Sequence, residues 1–283
     1  MREPESRWAE WPIKIRELDV LRREYVTPRM VRVTLGGPGM PGFESHLADE
    51  HVKLVFPDPD TGTTRVPVQD GDHLDWPSPF PPTRDYTVRR YDPTAGEAGE
   101  VDFDFVVHEG GLASDWAQHA PIGSSIWVAG PRPSKIVPPE FGFHVLVGDE
   151  TALPAIGRWL EELPGDARGV AAVEIADPAE RQSLRLPAGF SLTWLHRCDE
   201  SAPTLGDFVA GLTLPDDTAT YVWAAGEAGE LKPVRSWARS RGVGGKDQSD
   251  IGGYWRRGST GGVPSTRRER LGHAVAHVLG REH

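Results

Sequence analysis

The apolar residues of this chain change their spacing near residue 138. Between residues 13 and 133, short runs rich in β-branched and aromatic residues are separated by Gly and Pro, and this pattern predicts an antiparallel barrel. Between residues 141 and 251, runs typical of strands alternate with segments typical of helices, as in FHVLVGDETALPAIGRWLEEL (residues 143–163). The alternation predicts parallel βαβ units, so we expect two domains of different architecture.

One strand of the predicted barrel, TRDYTVRRY (residues 83–91), carries side chains suited to a flavin. Because alternate residues of a strand face the same side, Arg84 and Tyr86 are predicted to point into one groove. There the Arg84 guanidinium can pair with a pyrophosphate. The Tyr86 ring can stack on the isoalloxazine, and the Thr87 hydroxyl can reach the flavin N5 edge. An exposed barrel strand without a ligand is the alternative interpretation.

The next long strand runs into a glycine turn that suits a phosphate. In VDFDFVVHEGGLASDW (residues 101–116), acidic and apolar residues alternate as in a half-buried strand and are followed by His108, Gly110 and Gly111. Glycines let the backbone approach a ligand closely. Ser114 stands at the predicted start of a helix, where free amides can hold a phosphate. Together the two strands predict a flavin-binding barrel.

With these segments in place, the chain resembles the siderophore-interacting proteins, a branch of the ferredoxin–NADP reductase superfamily that reduces ferric siderophores with FAD. The matching pieces come in the family's order and cover most of residues 18–258. One departure is Pro133, where many relatives have glycine. The pieces are HVKLVFP (51–57), RDYTVR (84–89), DFDFVVH (102–108), GLASDWA (111–117), AGPR (129–132), GDETALPA (148–155), WAAGEAG (223–229) and GYWRRG (253–258).

The resemblance implies a β + α/β fold. A six-stranded antiparallel flavin-binding barrel over residues 13–138 is followed by a parallel α/β nucleotide-binding domain over residues 139–258. It also implies FAD-dependent reduction of ferric siderophores with NAD(P)H, releasing Fe(II) in the cytoplasm, with Thr87 closest to a catalytic role. The cofactor-binding residues are then Arg84, Tyr86, Thr87, Asp104, Val107, His108, Gly111, Ala113, Ser114, Trp116, Thr151, Glu227, Tyr254 and Trp255.

Four cations are expected to face the iron substrate. The family fold would gather Lys53, Arg132, Arg256 and Arg257 near the exposed flavin face, and ferric siderophores are often anionic and too large to be enclosed. A shallow cationic rim suits such a substrate. Ordinary surface charges and FAD contacts are the alternatives for these residues. Tyr254 and Trp255 are expected to pack beside the flavin and close its pocket, as the resemblance implies.

The α/β half is expected to bind the nicotinamide cofactor at the carboxyl ends of its strands. Thr151 lies at a predicted helix start, where amides suit a diphosphate, and the resemblance places the nicotinamide end near Glu227. Glu174 and Asp177 end the second strand, where a carboxylate can accept from a ribose 2′-OH and repel a 2′-phosphate. This favours NADH, while the nearby Arg181 leaves NADPH open.

Composition and charge are consistent with this prediction. The 283 residues suffice for two domains, and the net charge of −11 argues against general nucleic-acid binding. The single cysteine, Cys198, excludes a disulfide framework and a cysteine-ligated cluster within one chain. Neither a signal peptide nor a membrane span is predicted, so we expect a cytoplasmic protein, and no obligatory protein partner is implied. The rival functions are a flavin reductase serving a partner oxygenase and a non-catalytic siderophore-binding accessory protein.

Two further patterns are weighed against structural interpretations. GPGMPG (residues 37–42) spells a dinucleotide-binding motif, but its prolines disfavour the required helix, so we predict a turn. Residues 259–283 are predicted as an extension with a terminal helix. His273 and His277 are one helical turn apart there, but without a third ligand we predict no metal site.

Overall fold

The computed structural model describes residues 4–9 and 11–259. Apart from residue 259, the predicted extension lies outside the described residues, and so do His273 and His277. The helices are α1 (Leu112–His119), α2 (Leu153–Glu162), α3 (Leu205–Ala210) and α4 (Leu231–Ser240), with a 3₁₀ helix at Pro178–Glu180. The strands are β1 (Arg7–Trp8), β2 (Ile15–Thr27), β3 (Met30–Gly36), β4 (His51–Val55), β5 (Val68–Asp70), β6 (His73–Asp75), β7 (Thr83–Thr87), β8 (Arg90–Asp92), β9 (Glu100–Val106), β10 (Ser125–Arg132), β11 (Lys135–Ile136), β12 (Phe143–Asp149), β13 (Arg168–Ile175), β14 (Gly189–His196), β15 (Thr220–Glu227) and β16 (Ser249–Trp255).

The N-terminal half is an antiparallel sheet in the order β7-β4-β10-β2-β3-β9-β8. Six of its strands have five or more residues, in agreement with the six strands expected, and the three-residue β8 extends the edge beside β9. The run predicted as one strand over residues 83–91 is therefore split between β7 and β8. The antiparallel β domain predicted from the sequence is confirmed.

Two residues bring the edges of this sheet together. β7 and β8 are the two edge strands, yet only Val88 and Arg89 separate them in the chain. The Val88 N–H donates to the Glu50 carbonyl beside β4 (2.9 Å), and the Arg89 N–H donates to the Asp102 carbonyl of β9 (2.9 Å). The sheet is therefore curled so that its two edges approach each other. We call this curled sheet the barrel, and we call Val88 and Arg89 the seam.

Strand β9 is buried on both faces, although the sequence predicts a half-buried strand. Val101, Phe103 and Phe105 are fully buried in the core, but Asp102 and Asp104 on the other face are buried too. The Asp104 carboxylate accepts two hydrogen bonds from Arg32, at 2.7 and 2.8 Å. Because such paired charges tolerate burial, β9 is covered on both faces.

The C-terminal half is a parallel sheet in the order β14-β13-β12-β15-β16, as predicted. Side chains alternate across β12, so Leu146 packs with α2 on one face while Val145 and Val147 pack with α3 and α4 on the other. Residues 137–142 connect β11 to β12, and the predicted boundary at residue 138 falls in this connection. Residues 37–42 form turns, as predicted.

None of the described helices could cross a membrane, since the longest have ten residues and a span needs about twenty apolar ones.

A buried acid at the junction of the two halves gives a pH-dependent prediction. Burial raises the pKa of Asp250 to about 6, opposed by Lys135 and reinforced by Asp49. The pKa of Asp250 is higher in the folded state than in the unfolded state. Its contribution to the free energy of unfolding is therefore complete below about pH 4 and is lost as the pH rises through about 6. Asp250→Asn removes the ionisable group. It should raise stability at pH 8 by about 2 kcal/mol.

The measurement is urea denaturation of wild type and Asp250→Asn at pH 4, 6 and 8. The gain in stability should shrink towards zero at the lowest pH. A gain that is the same at every pH would show that ionisation of Asp250 is not its cause.

Candidate functional site

Arg84 and Tyr86 share one face of β7, as predicted. In the register with β4, Leu54 lies opposite Arg84 and Val52 lies opposite Tyr86, and both partners are fully buried. The Arg84 guanidinium is half-buried and donates to the Thr83 carbonyl at 2.8 Å. An arginine is thereby held beside an aromatic ring on a face that also meets α1.

Tyr86 belongs to an aromatic group between β7, β9 and α1. Its ring lies 4.2 Å from that of Phe105, and Phe105 in turn lies 5.6 Å from Trp116. Burial raises the pKa of the Tyr86 hydroxyl. One face of the tyrosine ring is thus used in packing, and stacking on a flavin by the other face stays a prediction.

The turn before α1 is built for close approach to its backbone. Gly110 has φ +71°, and a Cβ at that position would meet nothing within 4 Å, so the surface above it is open. A Cβ on Gly111 would collide with the His108 ring at 2.1 Å. Gly111 caps α1 without any side-chain hydrogen bond, which leaves the first helical N–H groups free of a capping side chain. This cradle fits a phosphate.

Ser114 acts differently from the expectation for a helix start. The helix begins at Leu112, so Ser114 lies in its first turn, and its buried hydroxyl accepts from the His108 N–H (2.9 Å) and donates to the His108 carbonyl (3.0 Å). The side chain therefore ties the turn together. The neighbouring Ala113 is also buried, so a phosphate would be held by backbone amides.

Asp104 and Val107 have structural partners in the barrel. Both carboxylate oxygens of Asp104 are engaged by Arg32, and this pairing raises the pKa of the Arg32 guanidinium. The Val107 N–H donates to the Arg29 carbonyl at 2.8 Å. A contact of either residue with FAD stays a prediction.

Thr87 faces the opposite side of β7 and meets the α/β half. It pairs across the strands with His51, and its side chain interacts with that of Tyr254 of β16. Burial raises the pKa of Tyr254, and its ring packs edge-on against Trp223 at 6.3 Å. The predicted N5 residue therefore lies at the junction of the two halves, where its hydroxyl meets a side chain of the α/β half.

Asp149, which is not among the predicted cofactor-binding residues, organises the carboxyl end of the parallel sheet. Its Oδ1 accepts from the Thr151 N–H (2.9 Å) and the Thr151 hydroxyl (2.5 Å). Its Oδ2 accepts from the Glu227 N–H (2.9 Å) and Trp255 Nε1 (2.7 Å). Asp149 thus brings three predicted cofactor-binding residues together. Its position at the end of a buried strand was the available signal.

Glu227 shapes a turn at the same edge. Its Oε2 accepts from the N–H groups of Gly229 (2.5 Å) and Glu230 (2.8 Å), while Oε1 accepts from the Arg257 N–H (3.1 Å). These bonds hold the pKa of Glu227 below its usual value despite its desolvation. The carboxylate links β15 to the end of β16.

Arg197, also absent from the predicted cofactor-binding residues, occupies the region predicted to read the ribose. It donates to Glu174 at 3.1 Å and forms a short contact with Glu150. Asp177 accepts from the Ala179 N–H, and Arg181 donates to His196 at 3.0 Å. Glu174 is therefore paired with a cation that it shares with Glu150, which weakens the main reason for expecting NADH.

Lys53 and Arg132 line one open cavity of about 290 Å³ on the barrel. Lys53 Nζ lies 2.7 Å from Asp85, so its charge is partly balanced. Arg257, by contrast, pairs with Glu230 (2.8 Å) at the end of β16, and Arg256 is exposed beside it. The sequence analysis missed the other lining residues, which are Ile13, His73, Leu74, Trp76 and Ala129.

Comparison with known proteins places this site in a family. The siderophore-interacting FAD-binding domain matches residues 19–135, and the siderophore-interacting protein model matches residues 142–258. The chain belongs to the siderophore-interacting protein family. Its barrel is the FAD-binding domain of that family, and the uncapped start of α1 fits a phosphate of the cofactor.

Several known proteins are similar to the chain over most of its length. Ferric vibriobactin reductase ViuB of Vibrio cholerae is 32% identical over 268 residues, covering 93% of this chain and 94% of ViuB. The NADPH-dependent ferric-chelate reductase of Escherichia coli is 36% identical over 224 residues, covering 78% and 85%. A siderophore utilization protein from T. fusca is 42% identical with a TM-score of 0.82, covering 91% and 98%.

Proposed function

We propose that the protein reduces ferric siderophores with a reduced nicotinamide through bound FAD, in the cytoplasm, where reduced nicotinamides are available. One observation carries the proposal. Arg84 and Tyr86 share one face of β7 in the family's FAD-binding domain, Tyr86 packs through Phe105 against Trp116 of the uncapped helix α1, and Thr87 on the same strand meets the nucleotide-binding half. The similarity to ViuB and to the E. coli ferric-chelate reductase supports the same reaction.

The division of labour follows from the chemistry of the partners. FAD, when bound, takes two electrons as a hydride and passes them on singly, which suits Fe(III). Arg84 and the amides of α1 would hold the diphosphate, and Tyr86 would support the ring system. The Thr87 hydroxyl would bond the N5 edge, and Lys53 and Arg132 would attract an anionic iron complex into the cavity between them.

Anaerobic stopped-flow spectroscopy tests the function in two steps. The flavin of the purified holoprotein should bleach on mixing with NADPH or NADH. It should return to the oxidised spectrum on mixing with a ferric siderophore, while a ferrous chelator traps the product. Bleaching followed by release of reduced flavin would favour a flavin reductase, and absence of bleaching would favour a non-catalytic accessory protein.

The positive charges that line the cavity should determine kcat/KM for an anionic iron substrate. Neutralising Arg132 or Lys53 to Gln should lower kcat/KM for an anionic ferric siderophore about threefold to tenfold, because both side chains line the cavity. Arg257→Gln is expected to have the smallest effect because Glu230 pairs with that guanidinium. Raising the salt concentration should reduce the effect, since exposed charges act over about 8 Å at physiological ionic strength.

The nicotinamide half-reaction serves as the internal control for these variants, and Arg168→Gln, which alters an exposed pair with Asp217, serves as the matched surface control. A triple variant of Lys53, Arg132 and Arg257 with unchanged affinity and salt dependence would rule out the cationic rim.

NADPH is the donor that the site now favours. Arg197 and Arg181 lie at the carboxyl ends of β13 and β14, where they can pair with a 2′-phosphate, and Glu174 is already held by Arg197. We expect kcat/KM to be higher for NADPH than for NADH. Arg197→Gln should lower the NADPH value about tenfold and the NADH value much less. Steady-state kinetics with both donors measures the ratio, and a strong NADH preference in the wild type would contradict this assignment.

A further inference from the structure

The C-terminal half of α2 holds the seam of the barrel, and we propose that this contact fixes the distance between nicotinamide and flavin for hydride transfer. Arg89, Arg158 and Glu161 are then positioning residues, which act through the placement of the two domains. The proposal rests on the proposed function, since it concerns the step in which a hydride leaves the nicotinamide and is accepted by the flavin.

The ion pair between Arg89 of the seam and Glu161 of α2 fixes the orientation of the helix on the barrel as well as the distance between them. Arg89 Nη1 and Nη2 donate to the two oxygens of Glu161, both at 2.8 Å. The Arg89 side chain is 9% exposed, and its Nε also lies 3.9 Å from Asp104 of β9. A bidentate bond of this kind tolerates little rotation, so the helix cannot pivot on the barrel without breaking it.

A second arginine reaches from α2 to the same seam. Arg158 Nη1 donates to the Val88 carbonyl (3.0 Å) and to the Ser45 hydroxyl (2.9 Å), while its Nε donates to Glu162 (2.7 Å). The Arg158 side chain is almost fully buried. Buried ion pairs are often no more stabilising than apolar contacts, so polar groups at this position are better explained by the fixed geometry that they impose.

Gly157 allows the helix to lie this close. A Cβ at Gly157 would stand 3.2 Å from Cζ, Nε and Nη2 of Arg89, tighter than an ordinary contact. The guanidinium therefore rests against the backbone of α2, and the contact area includes the helix itself as well as its side chains.

The two ends of α2 lie at the two chemical centres. Its N-terminal end follows Asp149 and Thr151, where the nicotinamide diphosphate is predicted to bind, and its other end contacts the seam directly after Thr87. The ten-residue helix is about 15 Å long. A rigid element of fixed length, bound at both ends, sets the separation of the groups that it connects.

The test compares Glu161→Gln and Arg89→Lys with wild-type holoprotein in anaerobic stopped-flow. Glu161→Gln removes the charge, while Arg89→Lys keeps the charge but loses the bidentate fork. Both should slow bleaching at saturating NADPH or NADH about tenfold, because small misplacements of reacting atoms are costly. The half-saturating nicotinamide concentration should change less than about twofold, because the nucleotide's own contacts remain.

Three readouts separate positioning from a merely structural role. The long-wavelength charge-transfer absorbance of the nicotinamide–flavin complex should weaken, while FAD content and oxidation by ferric siderophore after dithionite reduction should be unchanged. Asp217→Asn, a matched carboxylate-to-amide change in the exposed pair with Arg168, should alter none of them. A wild type that is not bleached would overturn the proposed function and this inference together. A wild type that is bleached, with both variants bleaching equally fast, would overturn this inference alone.

Discussion

Arg84→Ala is expected to purify largely without FAD. The guanidinium stands on the same face of β7 as Tyr86, so it can supply the charged partner for the cofactor's diphosphate while the uncapped start of α1 supplies amides. A charge-assisted hydrogen bond contributes about 1.5–3 kcal/mol, and a bidentate one approaches the upper value. Its loss should weaken FAD binding about 100-fold. The absorbance ratio of flavin to protein and titration of apoprotein with FAD measure it.

A charge-neutralising substitution elsewhere provides the control. Arg168→Ala removes an equal charge from an exposed surface pair and should purify with full FAD content. The melting temperature of apo Arg84→Ala should match that of wild-type apoprotein, because the defect lies in binding and not in folding. Full FAD occupancy in Arg84→Ala would remove this residue from the diphosphate site.

Local patterns were sufficient to predict much of the fold and half of the cradle. The period-two spacing around Arg84 and Tyr86 gave their common face, and the Gly110–Gly111 pair gave the turn before α1. The strand–turn–helix pattern of residues 143–163 predicted β12 and α2. Each of these features is determined within a few neighbouring residues, so the sequence alone contains the information.

Contacts between distant segments could not be predicted in this way. The pairing of Arg197 with Glu174 depends on β13 and β14 lying in parallel register, which places residues 23 positions apart side by side. The pairing of Asp104 with Arg32 joins residues 72 positions apart on neighbouring strands, so it could not be predicted from the local pattern either. The seam could not be predicted from the sequence, because the curling of a sheet depends on all of its strands.

The hydroxyl of Thr87 raises a question that a pair of variants can answer. Because this hydroxyl interacts with the side chain of Tyr254, Thr87→Val removes both the predicted N5 contact and a link between the two halves. Tyr254→Phe removes the same link but leaves the threonine hydroxyl in place. The two substitutions therefore separate direct contact with the flavin from domain attachment.

Thr87→Val should slow bleaching of bound flavin by reduced nicotinamide about 10- to 100-fold, because a hydrogen bond to the reacting edge is lost where charge changes during the reaction. Thr87 is almost fully buried, and valine keeps its shape, so FAD content should stay near that of the wild type. Tyr254→Phe should slow bleaching no more than about threefold, as expected for loss of one neutral hydrogen bond that does not touch the reacting atoms.

Single-turnover stopped-flow at saturating nicotinamide measures both rates. Equal slowing in the two variants would assign the effect to domain attachment, and unchanged bleaching in Thr87→Val would take the hydroxyl out of the reaction.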